Sequence, residues 1–191
     1  MEPLQRNNIS DNLESDKIVI KKISVNKFIL LSIITFGLYE LWWVYKSWCF
    51  FQYKDNSNIM PAVRTIFSVF YLIPLFMKII RLSKKYEYNK DYYSGLLFVG
   101  YFIICLLARL PDPYFLISFF SFIFFIPPVK ALNFAMENCD KFHVKEQKSF
   151  NVRQIFLLII GGSLWVFLII GLFVSNKSEK MHTITIEFKV K

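Results

Sequence analysis

Apolar residues fall in five blocks separated by short polar or charged connectors: residues 28–51, 62–81, 92–108, 113–129 and 154–176. The last is the plainest. Gln154 to Asn176 holds no charge and lies between Arg153 and Lys177. At about 1.5 Å per residue it makes a helix of about 35 Å, enough to cross a hydrocarbon core of about 30 Å. The third and fourth blocks, Tyr92 to Ala108 and Pro113 to Val129, each hold 17 uncharged residues, with R-L-P-D between them. Proline beside a short polar link makes a tight turn, so these two blocks predict an antiparallel helical hairpin. Pro127 and Pro128 mark its exit.

The first two blocks are more polar. Block one is uncharged from Phe28 to Tyr39 and then meets Glu40 and Lys46, with Ser32, Thr35, Tyr39 and Lys46 on one side of a helical wheel. Gly37 predicts a bend. Trp42, Trp43 and Trp48 cluster towards its end, the placement expected of anchors at a headgroup boundary. In block two only 13 uncharged residues separate Arg64 from Lys78, about 20 Å of helix, which is too short to span unaided. Arg64, Ser68, Tyr71 and Lys78 share an arc of about 80°. That stripe suits either a helix lying in the interface or a spanning helix whose polar face meets protein. Pro61 suits the first turn of this helix, and Pro74 predicts a kink.

Polar connectors complete the pattern. Residues 1–27 form a polar N-terminal arm in which Ile18, Val19, Ile20 and Ile23 suggest a short strand or an amphipathic turn. Residues 82–91 are a basic, tyrosine-rich loop, and 130–153 read as a helix leaving the membrane followed by a loop. In the tail, 177–191, His182, Ile184, Ile186, Phe188 and Val190 alternate with polar residues, the pattern of a half-buried strand. The expected fold is an all-α, multi-pass helical membrane bundle of three to five spans, residues 28–176, with a cytoplasmic arm and an external amphipathic tail.

Charge sets the orientation. Lys and Arg concentrate in 1–27, 78–91 and 130–153. Five spans with the N-terminus inside put 15 of them inside and eight outside; three spans, with blocks one and two forming a re-entrant or interfacial hairpin, put 18 inside and five outside. Both arrangements obey the positive-inside tendency, and both place 78–91 in the cytoplasm and the tail outside.

The net charge of +9 is spread over the loops rather than gathered on one face. It therefore points to anionic lipid headgroups and not to nucleic acid. Hydrophobic residues make up 55% of the chain and aromatic residues 19%, above the usual apolar share of about 45–50% in soluble domains. The N-terminus carries no basic start followed by an apolar core, so no signal peptide is expected and block one stays in the protein. Cys49, Cys105 and Cys139 are widely spaced, and His143 and His182 are isolated, which predicts neither a disulfide framework nor a metal site. No cofactor motif is present.

The sharpest candidate for chemistry is Glu40, an ionisable residue inside an apolar block. Its possible partners are Arg64, Lys78 and Arg109. Such a group either gates or relays protons or pairs structurally near the headgroups. Arg64 and Arg109 also suit lipid phosphates, because guanidinium binds phosphate bidentately. No apolar block contains a His, no second carboxylate is buried, and no G-x-S-x-G occurs, so nucleophilic and paired-acid catalysis lack their parts. Gly161, Gly162, Gly171 and Ser175 are small residues that permit close helix approach, within the chain or at a dimer seam.

Two stretches carry a family likeness. They are K-F-I-L-L-S-I-I-T-F-G-L-Y-E-L-W-W-V-Y-K-S-W from Lys27 to Trp48 and S-N-I-M-P-A-V-R from Ser57 to Arg64. Together with P-V-K-A-L-N and the closing I-I-G-G-S-L-W-V-F-L-I-I-G-L-F, the chain resembles small bacterial multi-pass membrane proteins grouped as a domain of unknown function (number 4234). The resemblance implies a bacterial inner-membrane location and no particular activity. Ala62 and Val63 stand where larger aromatic residues are common in that family.

Two functions are consistent with these features. One is a non-enzymatic membrane protein acting through lipid contacts, other membrane proteins or self-association. The other is a small transporter or channel, oligomeric if need be, that uses Glu40 and Arg64.

Overall fold

The computed structural model describes residues 18–111, 114–139, 142–146 and 152–190. The fold is mostly helical. Its elements in chain order are strand β1 (Ile18–Lys22) and helices α1 (Val25–Ile34), α2 (Leu38–Asp55), α3 (Pro61–Ile66), α4 (Ser68–Lys85) and α5 (Ser94–Leu107). There follow a 3-10 segment (Tyr114–Phe125), α6 (Ile126–Glu137), strand β2 (Phe142–Glu146) and α7 (Val152–Val190).

Block one is not a single bent helix. Its chain reverses at Thr35–Gly37, where Phe36 (φ 53°) and Gly37 (φ 83°) both take left-handed backbone. Thr35 Oγ1 accepts the Tyr39 amide at 3.0 Å and donates to the Leu31 carbonyl at 2.7 Å, stitching the two helices across the turn. Phe28 of α1 then meets Tyr39 and Trp43 of α2, with ring centroids 6.0 and 5.9 Å apart, so α2 folds back over α1. Left-handed φ is costly for a bulky residue and needs outside support. Phe36 finds it between Trp165 and Phe119, each 5.0 Å away.

Block two also divides, at Phe67, into the short α3 and the long α4. Pro61 opens α3, where its missing N–H is harmless, whereas Pro74 lies inside α4 and the helix continues through it. Trp48 meets Tyr71, and seven residues further along each helix Asp55 meets Lys78. The contacts run in the same order, so α2 and α4 lie side by side in the same sense.

Helix α5 and the 3-10 segment, joined by a short link, pack against each other: Gly100 faces the Phe124 ring and Tyr101 meets Phe125 at 5.2 Å. The prolines expected to end the fourth block do not end it. Pro127 and Pro128 sit in the first turn of α6, where proline is tolerated, and the helix runs on to Glu137. Segments Tyr114–Glu137 and Gln154–Gly171 are long and apolar enough to cross a membrane.

The core converges on Phe125, which is 1% exposed and touches Phe28, Trp43, Phe76 and Tyr101 at 5.2–6.3 Å. One end of the molecule carries a two-stranded parallel sheet, with Ile18 opposite Phe142 and Lys22 opposite Glu146. β1 falls within the stretch expected to form a strand or turn; β2 replaces part of an expected loop. Asn133 Nδ2 donates to the Ile23 carbonyl at 2.8 Å, and Lys22 pairs with Glu137, fixing the sheet to α6.

Helix α7 packs against the α1–α2 hairpin. Gln154 Nε2 donates to the Tyr39 hydroxyl at 3.0 Å and Trp165 Nε1 to the Ile33 carbonyl at 3.2 Å. Between them Gly161 sits directly against the Ile34 backbone. Of the expected small-residue seam, Gly161 makes such an approach, whereas a Cβ on Gly162 or Gly171 would meet open space; the Ser175 side chain lies outside the described residues. A methyl group at 161 would overlap the Ile34 carbonyl. Gly161→Ala should therefore cost about 1–3 kcal/mol, read as a lower unfolding midpoint in mixed detergent, with Gly162→Ala as the silent control. The tail is helical to Val190 and not a strand. An unpartnered strand leaves its backbone groups unpaired, whereas a continued helix pairs its own.

Candidate functional site

Glu40 is 2% exposed. It sits just past the α1–α2 reversal, and Ser121 Oγ of the 3-10 segment donates to its Oε1 at 2.7 Å. The carboxyl thus ties the tip of the hairpin to the neighbouring segment. The cations considered as its partners are elsewhere. Arg64 lies over the faces of Trp48 and Tyr71, at 4.4 and 5.3 Å. Lys78 pairs with Asp55 at 2.6 Å and lies 4.9 Å from the Phe51 ring centre. Arg109 is exposed just beyond α5. The four residues do not form one polar site: each cation is satisfied by a local aromatic face, an acid or solvent.

The tryptophans also separate. Trp42 is 38% exposed, but Trp43 and Trp48 are buried, at 5% and 1%. Only Trp42 is placed as an interfacial anchor; Trp43 packs on Phe125 and Trp48 lies beneath Arg64. Spacing on the α2 wheel explains the split, since residues 43, 44, 47, 48 and 51 form its buried face while 41, 42 and 46 point out.

Asp55 closes α2. Partial burial works to raise its carboxyl, but hydrogen bonds from Lys78 and Lys54 outweigh this and hold it below the ordinary carboxylate range. A depressed folded-state pKa stabilises fully above the unfolded value and is lost as pH falls through the folded value. Asp55→Asn should cost at most about 1 kcal/mol at neutral pH, because the pair is half-exposed. The difference from the parent should vanish in acid, a comparison that paired unfolding curves at the two pH values provide.

A concavity lies at the sheet end. A cleft of about 770 Å³ opens between β1 and the outward face of α2, floored by α6 and the first turn of α7. Lys21, Lys22 and Lys46 supply its cations; Trp42, Trp43, Phe50 and Tyr53 its aromatic wall; Asn133 and Gln154 its amides. Among the described residues no acid or histidine lines it. It therefore offers positive charge and apolar surface together. Among the described residues no group of three or more His, Cys, Asp or Glu is placed to hold a metal ion.

This cleft was not foreseen from sequence. Its parts come from β1, α2, α6 and α7, which are brought together by the hairpin reversal. The local signal was the W-x-x-x-K spacing of Trp42 and Lys46, one turn apart on an exposed helix face, where Lys46 Nζ lies 5.5 Å from the Trp42 ring centre.

No family model, curated protein or solved structure matches this chain.

Proposed function

We propose that this chain is a multi-pass membrane protein that acts by contact with lipid and with other membrane proteins rather than by catalysis. The observation that carries the reading is the sheet-end cleft, where lysines sit beside exposed aromatic surface and, among the described residues, no carboxylate or histidine lines the wall.

In this reading α5, the Tyr114–Glu137 segment and α7 cross the bilayer. The α1–α2 hairpin and the α3–α4 pair enter from the sheet end and return to it. Several features support this. By sequence segment, 1–27, 46–64, 78–91 and 130–153 hold 18 of the Lys and Arg residues and the remaining segments five, which favours a cytoplasmic sheet end. Large apolar side chains are exposed along the crossing segments, among them Phe102, Ile103, Ile117, Phe120, Ile159 and Phe167, a surface larger than a soluble monomer tolerates. The likeness to the bacterial multi-pass family supports the inner membrane of a bacterium as the location.

The competing reading, a transporter or channel built on Glu40 and Arg64, needs those two groups in one pathway, and the geometry sends them to different partners. Flux through liposomes containing the purified full chain separates the readings. The expected result is proton and small-ion leakage no greater than in empty vesicles. Flux that Glu40→Gln abolishes, while assembly stays intact, overturns the proposal.

A further inference from the structure

A second concavity adjoins the first. A groove of about 420 Å³, almost wholly apolar, runs between α2, α3 and α7 and is lined by Leu38, Leu41, Ile66 and Leu157. Trp42 lines both the groove and the basic cleft, so the two share a wall. The outward face of α2 joins them. Leu38, Trp42 and Lys46 stack at intervals of four residues, with Leu41 and Tyr45 beside them. From Leu38 to Lys46 this face covers about 12 Å along the helix axis. It passes from bare hydrocarbon near the hairpin tip, through an aromatic ring, to a cation at the sheet end.

We infer that cleft and groove are the two halves of one site for an anionic phospholipid. Its phosphate lies in the cleft beside Lys21 and Lys46, and one acyl chain lies in the groove against Leu38, Leu41 and Ile66. The inference deepens the lipid-contact reading above and rests on it.

Charge and polarity select the occupant. Lys22 is engaged by Glu137, but among the described residues no carboxylate pairs with Lys21 or Lys46. Lys46 Nζ is held over the Trp42 ring, at the junction of the two halves. An ammonium there meets a phosphodiester as a point charge. A free anion would use the cleft and leave the groove empty. A helix of another protein would use the groove and leave the lysines without a counter-charge. A molecule with a negative head and a hydrocarbon chain uses both, in the order in which the α2 face presents them.

The test is electron paramagnetic resonance of the reconstituted full chain with chain-labelled phosphatidylglycerol and, separately, chain-labelled phosphatidylcholine. The expected result is a several-fold preference of the motionally restricted lipid for phosphatidylglycerol, weakened by salt as exposed charge pairs are. In the Lys21→Gln, Lys46→Gln double variant the two lipids should be restricted equally. Leu41→Trp, which fills the groove, should lower the restricted fraction of phosphatidylglycerol with the lysines in place. All three positions are exposed, so these variants should retain the parent's helical circular dichroism.

Restricted lipid without headgroup preference, or a preference unchanged in the double variant, overturns the inference and leaves the lipid-contact reading standing. No restricted lipid of either kind overturns both.

Discussion

Phe125→Ala is expected to cost about 3–5 kcal/mol, the range for removing a fully buried aromatic ring. The ring is the common neighbour of α1, α2, α4 and α5, through Phe28, Trp43, Phe76 and Tyr101. The reason lies in geometry as well as area. Phe125 is the last residue of the 3-10 segment, and Ile126 begins α6, so the ring marks the point where the helix changes pitch and the surrounding side chains cannot close over the space it leaves. Phe125→Leu keeps most of the volume and should cost roughly half as much. Unfolding midpoints in increasing fractions of denaturing detergent provide the comparison. A loss below about 1 kcal/mol for the alanine variant would mean that the helices do not converge on this ring.

Glu40→Lys is expected to be as damaging, by about 3–5 kcal/mol, because it buries an ammonium with no anion to pair it. Glu40→Gln should be nearly neutral. It keeps the shape and leaves an amide oxygen to accept the Ser121 hydroxyl now bonded at 2.7 Å. Ser121→Ala removes that donor and should cost about 1–3 kcal/mol, the penalty for a buried polar group that loses its partner. The ordering Lys worst, Ala intermediate and Gln mild, read on folded yield and on the same unfolding scale, identifies Glu40 as a buried strut. Free tolerance of lysine would mean that Glu40 reaches water, as a transport pathway requires.

Some of this architecture was legible in the chain. Two apolar blocks with a proline-bearing link specify a hairpin by local rules alone, and α5 and the 3-10 segment pack against each other beside that link. Glu40 stood out because a carboxylate in apolar surroundings is expensive wherever the chain puts it. Other features depended on distant partners. The uncharged run from Phe28 to Tyr39 reads as one helix. What reverses it is the stacking of Phe36 on Trp165, a residue from the far end of the chain. Strand β2, F-H-V-K-E, has weak local character and exists as a strand because β1 lies beside it. Trp43 and Trp48 read as interfacial with Trp42, yet a rotation of 100° per residue on α2 turns them to the core. Pro127 and Pro128 read as a stop but opened a new helix, because proline suits a first turn as well as an exit. The alternation from His182 to Lys191 had no partner strand among the described residues and followed the helix before it. The basic cleft had no local signature beyond Trp42 and Lys46, since three of its four walls arrive by tertiary folding.

In the proposed arrangement the α1–α2 hairpin enters the membrane region and comes back, leaving the α2–α3 connection at the sheet end. Asn58 lies in that connection and is exposed. With Cys49, Cys105 and Cys139 replaced, a single cysteine at Asn58 should resist an impermeant maleimide in intact cells and react once the cells are permeabilised. A cysteine placed at exposed Leu110, in the far-end turn after α5, should react from outside in both conditions. Labelling at position 58 in intact cells, with the position 110 control reacting normally, would mean that block one crosses the bilayer and that the hairpin does not return to the sheet end.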